Sequence, residues 1–288
     1  MPSRFSIIIP ARNEAVALRN LLPELKARYS EAEILVVDDG STDDTRQVCD
    51  SVGVTVISNI YSMGNGAAVK RGARAAVTDI LVFMDGDGQH QPEDVSRLLK
   101  MLEAGYDMVV GSRGWSSQAG MHRAVANDLF SQLASWVVGH PIADLTSGFR
   151  AVRADKFRQF LYLLPNGFSY PTTITMSFFR AGYSVGYIPI QVSQRNSGSS
   201  HIRPMRDGMR FLLIIFKVGT LYSPLKLFFP ISAGFFLLGA GYYLYTYLTL
   251  HRFTNMSALL FITSLLVFMM GLISEQITNL IYRDDRSR

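Results

Sequence analysis

The sequence predicts an α/β domain, a parallel sheet with helices on both faces, followed by interfacial helices and two membrane-crossing helices. Three observations predict it. Short apolar runs alternate with helical spacings up to about residue 200. The polar clusters of that region sit at the ends of the strands, where open α/β sheets bind ligands. Beyond residue 211 charges nearly vanish.

Phe5–Pro10 reads as the first strand. Val16–Ala27 comes next as a helix, with Val16, Leu18, Leu21, Leu22 and Leu25 at helical spacing. Ile34–Val37 is a second strand, and Asp43–Ser51 a helix capped by Ser41 or Thr42. Val54–Ile57 is a third strand, and Gly64–Ala76 contains a helix. Ile80–Met84 is a fourth, fully apolar strand. Pro92–Ala104 is the next helix, its proline suited to the first turn. Met108–Val110 is a fifth strand.

Composition separates this domain from the C-terminal segment. The chain has 288 residues, 48% hydrophobic and 18% charged, with a mean hydropathy of +0.17. Pro230–Leu250 and Met256–Ser274 carry no charge, and each is close to the roughly 20 residues a spanning helix needs. Tyr242, Tyr243, Tyr245 and Tyr247 mark the first span, and His251–Asn255 makes a short hairpin link. Met209–Phe229 is apolar but holds Lys217, Gly219, Pro224 and Lys226, the pattern of interfacial helices with snorkelling lysines. The expected organisation is a domain over 1–202, juxtamembrane helices over 203–229, a transmembrane hairpin over 230–276 and a tail over 277–288.

The net charge is +5 and the pI ≈ 9.3. Basic residues cluster beside the apolar tail, which points to a membrane surface and away from nucleic acid. Arg203, Arg206, Arg210, Lys217 and Lys226 precede the first span, and Arg283, Arg286 and Arg288 come after the second, against Arg252 alone in the link. The positive-inside rule then puts both termini in the cytoplasm, a multi-pass inner or cell membrane arrangement with the folded domain cytoplasmic. A strand pattern begins straight after Arg4, so no signal peptide is expected. The single Cys49 excludes a disulfide framework and a cysteine zinc site. Two spans make a small anchor, which leaves room for a homo-oligomer.

Strand four runs into Asp85-Gly86-Asp87-Gly88-Gln89-His90. Two carboxylates one residue apart at a strand exit suit Mg²⁺ or Mn²⁺, hard cations that share their shell with substrate phosphates. Asp85, Asp87 and Gln89 are therefore candidate metal ligands. An acidic helix-capping turn would explain one polar residue before the helix, not three. Ala11-Arg12-Asn13-Glu14, Asp38-Asp39-Gly40-Ser41 and Gly111-Ser112-Arg113 end the first, second and fifth strands. Four strand ends thus face one crevice.

These residues resemble the family-2 glycosyltransferases of GT-A (Rossmann-like) fold, and within them the dolichyl-phosphate mannose synthase-like group of polyprenyl-phosphate sugar synthases. The shared text is IIIPARNE at 7–14, VVDDGSTDDT at 36–45, FMDGDGQH at 83–90, GSR at 111–113 and TSGFR at 146–150. The resemblance covers roughly residues 5–200 and the plan of a membrane tail. It implies that Pro10, Arg12, Glu14 and Asp39 line the nucleotide, and that Asp85, Asp87 and Gln89 hold Mg²⁺ or Mn²⁺ under the sugar diphosphate. It implies that Arg113 and Arg123 flank the donor and acceptor phosphates, making Asp85, Asp87, Arg113 and Arg123 the catalytic set. Ser147 and Gly148 fall with Arg123 on the acceptor side, and Arg195 in a loop that closes over the diphosphate. The family often has lysine where His201 stands, and a second arginine near Ser197.

The implied activity is metal-dependent inverting transfer of a hexose from a UDP- or GDP-sugar to a polyprenyl phosphate. A phosphate acceptor is already anionic near pH 7, its second pKa being about 6, and needs no protein base. Asp144 is the one carboxylate in the segment 142–150, and it reads as structural. Two other readings compete. One is a hydroxyl-directed or processive glycolipid or polysaccharide transferase; its processive members carry Gln-x-x-Arg-Trp and more spans, but here Gln194-Arg195 is followed by Asn196. A catalytically idle scaffold would not need Asp85, Asp87 and Gln89 together.

Overall fold

The computed structural model describes residues 5–113, 121–167, 170–192, 216, 219–220 and 223–284. It falls into two units. One comprises Met1–Gln132 and His140–Gly208, the other Leu133–Gly139 and Met209–Arg288.

The first unit is built on a seven-stranded sheet of order β3-β2-β1-β4-β6-β5-β7. Its strands are β1 (Phe5–Ala11), β2 (Glu33–Asp38), β3 (Thr55–Ser58), β4 (Ile80–Phe83), β5 (Met108–Arg113), β6 (Arg150–Arg153) and β7 (Val185–Ile190). Strands β3, β2, β1 and β4 are mutually parallel. The helices are α1 (Ala15–Arg28), α2 (Thr45–Val52), α3 (Asn65–Ala75), α4 (Glu93–Glu103), α5 (Met121–Val138, whose residues from Leu133 on belong to the second unit), α6 (Ala154–Arg158) and α7 (Tyr170–Arg180).

Alternation along the strands divides the core between two faces. Ile7 and Ile9 of β1 meet Leu18, Leu22 and Leu25 of α1 and Val95, Leu98 and Leu102 of α4. Ile8 between them points the other way, with Leu35, Phe83 and Val110, onto Ala68 and Val69 of α3, Phe157 of α6 and Ile174 and Phe178 of α7. Both faces are covered, as apolar strands without polar alternation require. Val16, counted in the helical spacing, is instead 66% exposed. Ser41 and Thr42 do not cap α2; the Asp43 carboxylate accepts the Thr45 N–H at 3.0 Å.

The sheet is not wholly parallel. β6 lies antiparallel between β4 and β5, pairing Phe83 with Arg150 on one side and Val110 with Arg150 on the other. The sequence hides it, because Arg-Ala-Val-Arg has arginine at both ends and too little alternation to read as a strand. β7 is the edge strand beside β5, and Gly186 and Pro189 disguise it. Gly111-Ser112-Arg113, expected as the loop after strand five, continues β5 and pairs with Ile188–Ile190.

In the second unit two long helices, Pro224–Leu250 and Asn255–Asp284, pack on each other. Both are long and apolar enough to cross a membrane. Residues 224–229, read as interfacial, belong to the first of these helices, and Pro230 lies inside it. A reciprocal pair joins the two: Ser232 Oγ donates to the Ser264 carbonyl at 2.9 Å and Ser264 Oγ to the Ser232 carbonyl at 2.8 Å. Such bonds between helices satisfy hydroxyls that hydrocarbon cannot. A groove of about 590 Å³ runs beside this pair, lined by Phe229, Phe236, Phe261 and Phe268 among others. Arg203 and Arg206 fall outside the described residues.

Candidate active site

The C-terminal ends of β1 and β2 are stitched into one platform. Asp39 N–H donates to the Ala11 carbonyl at 2.8 Å. Asn13 N–H donates to Ser41 Oγ at 3.0 Å, and Asn13 Oδ1 accepts the Thr42 N–H at 2.8 Å. Glu14 N–H donates to Thr45 Oγ1 at 3.0 Å, and Ala15 N–H to Asp43 at 3.2 Å. Asn13 takes a left-handed φ of 56° to make these turns. Pro10 and Glu14 are half-buried on this platform and Arg12 is exposed.

Asp39, which the resemblance assigns to the nucleotide, is engaged within the protein. Its carboxylate is buried and accepts four donors, Asn59 Nδ2 at 2.7 Å and the Met63 N–H, the Gly64 N–H and Ser62 Oγ at 2.8 Å each. Four donors use about all the lone-pair sites a carboxylate has. Burial alone would raise this carboxyl, but the four donors hold it below the ordinary range. Asp39 therefore fixes the loop 59–64 after β3.

Asp85 leaves the end of β4 with its side chain 38% exposed. Its polar neighbour is the buried His90 imidazole, Nε2 lying 3.5 Å from Oδ2. Burial raises the Asp85 carboxyl, and the His90 hydrogen bond with the charges of Arg113 and Arg150 more than reverses this. Across from it runs the main chain of Gly148. A Cβ there would stand 3.1 and 3.2 Å from the two Asp85 oxygens and 3.3 Å from the Tyr170 hydroxyl. Asp87 is half-buried and its Oδ1 accepts the Gln89 N–H at 3.1 Å.

The segment leading to Gly148 is organised by Asp144. This fully buried carboxylate takes a two-point ion pair from Arg113, Nε at 2.8 Å and Nη2 at 3.1 Å. It also accepts the Thr146 and Ser147 N–H groups at 3.0 and 3.1 Å. Burial opposes both charges, yet the pair holds Asp144 below and Arg113 above their usual ranges. Arg113 stays 30% exposed and also donates to Thr146 Oγ1 at 2.6 Å. Ser147, expected on the acceptor side, is 2% exposed, so Thr146 and Gly148 are the half-open positions of this turn.

Beneath the turn, Arg150 is fully buried on β6. It donates to the Ser147 carbonyl, to Thr175 Oγ1 at 3.1 Å and to the Pro171 carbonyl at 3.4 Å, and lies 5.9 Å from the Tyr170 ring centroid. Sequence reasoning missed the roles of His90, Arg150 and Tyr170. Arg150 and His90 stood in the shared motifs; β6 carries Arg150 beneath the turn at Ser147, and His90 stacks on Phe149 just before that strand. Arg123 lies near the start of α5, its side chain outside the described residues, as is all of Arg195.

These residues fit a hard divalent cation. Asp85 is half-open, ionised and pressed against a glycine that leaves its oxygens clear. Among the described residues no group of three His, Cys, Asp or Glu side chains could hold a metal alone. The site suits a cation whose shell is completed by water and substrate phosphate.

Residues 6–161 match the family described as Glycosyl transferase family 2, and residues 223–280 the GtrB C-terminal hairpin. Glycosyltransferase AglJ of Haloferax volcanii is 28% identical over 100% of this chain and 97% of its own. The undecaprenyl-phosphate mannosyltransferase of Micrococcus luteus is 32% identical over 68% and 86%. The polyprenol monophosphomannose synthase of Mycolicibacterium smegmatis is 30% identical over 68% and 80%. Among solved structures, glucosyl-3-phosphoglycerate synthase of Mycobacterium tuberculosis, in complex with Mn²⁺, UDP-glucose and phosphoglyceric acid, superimposes with a TM-score of 0.61. It is 22% identical, over 74% of this chain and 80% of that one, and shows the shared fold.

Two outcomes are expected from this geometry. Asp144→Asn should cost roughly 3 kcal/mol at pH 7, because it strands the Arg113 charge. The folded Asp144 carboxyl is depressed, so its contribution is present above the unfolded range and lost as pH falls through the folded value. Thermal melts should show the gap to wild type narrowing below about pH 4; a gap independent of pH would refute the pairing. Gly148→Ala should melt within a few degrees of wild type yet bind Mn²⁺ about tenfold more weakly, by displacing Asp85. Unchanged Mn²⁺ affinity in a calorimetric titration would show that the contact does not matter.

Proposed function

The chain belongs to glycosyltransferase family 2 and ends in a hairpin of the GtrB type, and on that premise we propose that it transfers a hexose, with inversion, from a nucleotide sugar to a polyprenyl phosphate. It is a glycosyltransferase, and the donor, the lipid acceptor and the Mg²⁺ or Mn²⁺ requirement are the proposed part. The observation that carries the acceptor assignment is the state of Asp144. The one carboxylate of segment 142–150 is fully buried and committed to Arg113, so it is in no position to deprotonate a hydroxyl. A phosphate acceptor needs no such base. The named functions of the Micrococcus and Mycolicibacterium relatives involve the same class of acceptor.

In the proposed reaction a phosphate oxygen of the lipid attacks the sugar C1 as the bond from C1 to the diphosphate oxygen breaks. The electron pair leaves with the nucleoside diphosphate. Attack comes from the face opposite the leaving group, so an α-linked donor gives a β-linked product. Asp85, Asp87 and Gln89 would hold the cation, which when bound supplies charge stabilisation to the departing diphosphate. Arg113, held in a fixed fork by Asp144, is positioned to add a preorganised positive charge. Arg123 is assigned to the acceptor phosphate with the turn at Ser147 and Gly148, and Arg195 to the diphosphate. Pro10, Arg12 and Glu14 are assigned to the nucleotide, UDP or GDP. Asp39 supports that subsite through the loop it ties down.

The two apolar helices are assigned to a multi-pass anchor with both termini, and hence the catalytic domain, in the cytoplasm. The support is the excess of basic residues on both flanks over the link.

Full-length protein in detergent, given Mn²⁺, a panel of UDP- and GDP-sugars and polyprenyl phosphate, should form a lipid-phosphate sugar. Asp87→Ala should reduce turnover below a few per cent of wild type. Preference for polyprenol or a sugar hydroxyl over polyprenyl phosphate would overturn the acceptor assignment. A cysteine introduced at Asn255 should label with an impermeant maleimide from the non-cytoplasmic face; labelling from the cytoplasm would overturn the topology.

A further inference from the structure

His90 has a geometry that an ordinary core histidine does not explain. The ring is buried, and its Nδ1 is buried with no hydrogen-bond partner. Buried polar atoms are nearly always satisfied, so an orphan calls for a reason. The other nitrogen, Nε2, faces Asp85 Oδ2 at 3.5 Å. With the proton on Nε2, the imidazole donates to Asp85 and leaves Nδ1 as a bare acceptor.

The ring is fixed from several sides. It stacks on Phe149 with centroids 4.7 Å apart and planes 13° from parallel. Phe149 is itself fully buried and lies against Gly111, where a Cβ would come within 2.7 Å of the Phe149 ring. The His90 main chain bridges to Val192 beyond β7. Asp85, by contrast, is partly exposed and leaves a strand end into a glycine-flanked turn. A rigid donor aimed at one oxygen removes rotamers in which that carboxylate turns away. Groups behind metal ligands characteristically act in this way, orienting the ligand and tuning its basicity.

We propose that His90 is a positioning residue for Asp85, holding that carboxylate toward the cation site through the stack of Gly111, Phe149 and His90. The inference rests on the reading of Asp85 as a metal ligand. It adds a residue that touches neither cation nor sugar, and it makes the aromatic stack part of the cation site.

The test is Mn²⁺ binding to the full chain in detergent, read as loss of the free-ion EPR signal, with UDP and separately GDP present. His90→Phe keeps an aromatic ring on Phe149 and removes the donor. It should melt near wild type and raise the Mn²⁺ dissociation constant about tenfold. His90→Gln, which restores an N–H donor, should recover part of that loss. Phe149→Leu, which keeps the imidazole but not its stack, should fall between. If His90→Phe does not fold, His90→Met serves as the donor-free variant. A folded donor-free variant with wild-type Mn²⁺ affinity overturns the proposal, provided Asp87→Ala abolishes binding in the same assay. If the wild-type chain itself binds no Mn²⁺, the metal assignment fails first and this inference with it.

Discussion

The Asp85 carboxylate rests close against the main chain of Gly148, where even a methyl group would push it aside by a few tenths of an ångström, and much of the site depends on that closeness. It arises from β6 running antiparallel between β4 and β5, so that the turn entering β6 arrives where β4 ends. A wholly parallel sheet would deliver the same residues to the opposite end. Inserting β6 also buries Arg150, which a sheet interior would ordinarily refuse. Its charge is accommodated by the Ser147 and Pro171 carbonyls, Thr175 and the Tyr170 ring, and by attraction to Asp144 and Asp85 at longer range. Replacing the tie to Ser147 by an apolar contact would reduce desolvation but release the turn that abuts Asp85.

Carboxylates in this domain divide by exposure into two kinds. Asp39 and Asp144 are buried, saturated with donors and held ionised. They act as internal anchors, one for the loop 59–64 and one for the turn 144–148. Asp85 and Asp87 are half-open at the end of β4. That division sets half-open carboxylates beside a paired Arg113. Asp144 pairs with Arg113 and fixes its fork, leaving Asp85 and Asp87 outside that ion pair. Under the proposed cation site, mutating a buried anchor costs stability, whereas mutating Asp85 or Asp87 costs cation affinity.

Much of this was legible in the residues. Four parallel strands and the helices between them are readable from apolar runs and the leucine spacing of α1. The strand-end clusters at Asn13, Asp39, Asp85 and Arg113 share one end of the sheet because each succeeds or ends a strand there. Asp144 was read as structural, but its partner Arg113 was not legible from the segment. What stayed hidden depends on tertiary context. Arg-Ala-Val-Arg does not look like an interior strand, since its first arginine is offset mainly by groups distant in sequence, from α7 above all, and by the preceding turn. The donors on Asp39 could not be read, because nothing local predicts that Asn59, Ser62, Met63 and Gly64 fold back on it. His90 looked like the tail of a motif because its stacking partner lies 59 positions away in the chain.

The central claim is that Asp85 and Asp87 hold a divalent cation whose shell is completed by the donor's diphosphate. Pulsed EPR of Mn²⁺ bound to the full-length chain measures it most directly, in the presence of UDP and, separately, GDP. The account predicts a resolved ³¹P hyperfine coupling from phosphate directly on the ion with one of the two nucleotides, lost in Asp85→Ala. Bound Mn²⁺ without ³¹P coupling in either case, or coupling that survives the loss of Asp85, would contradict it.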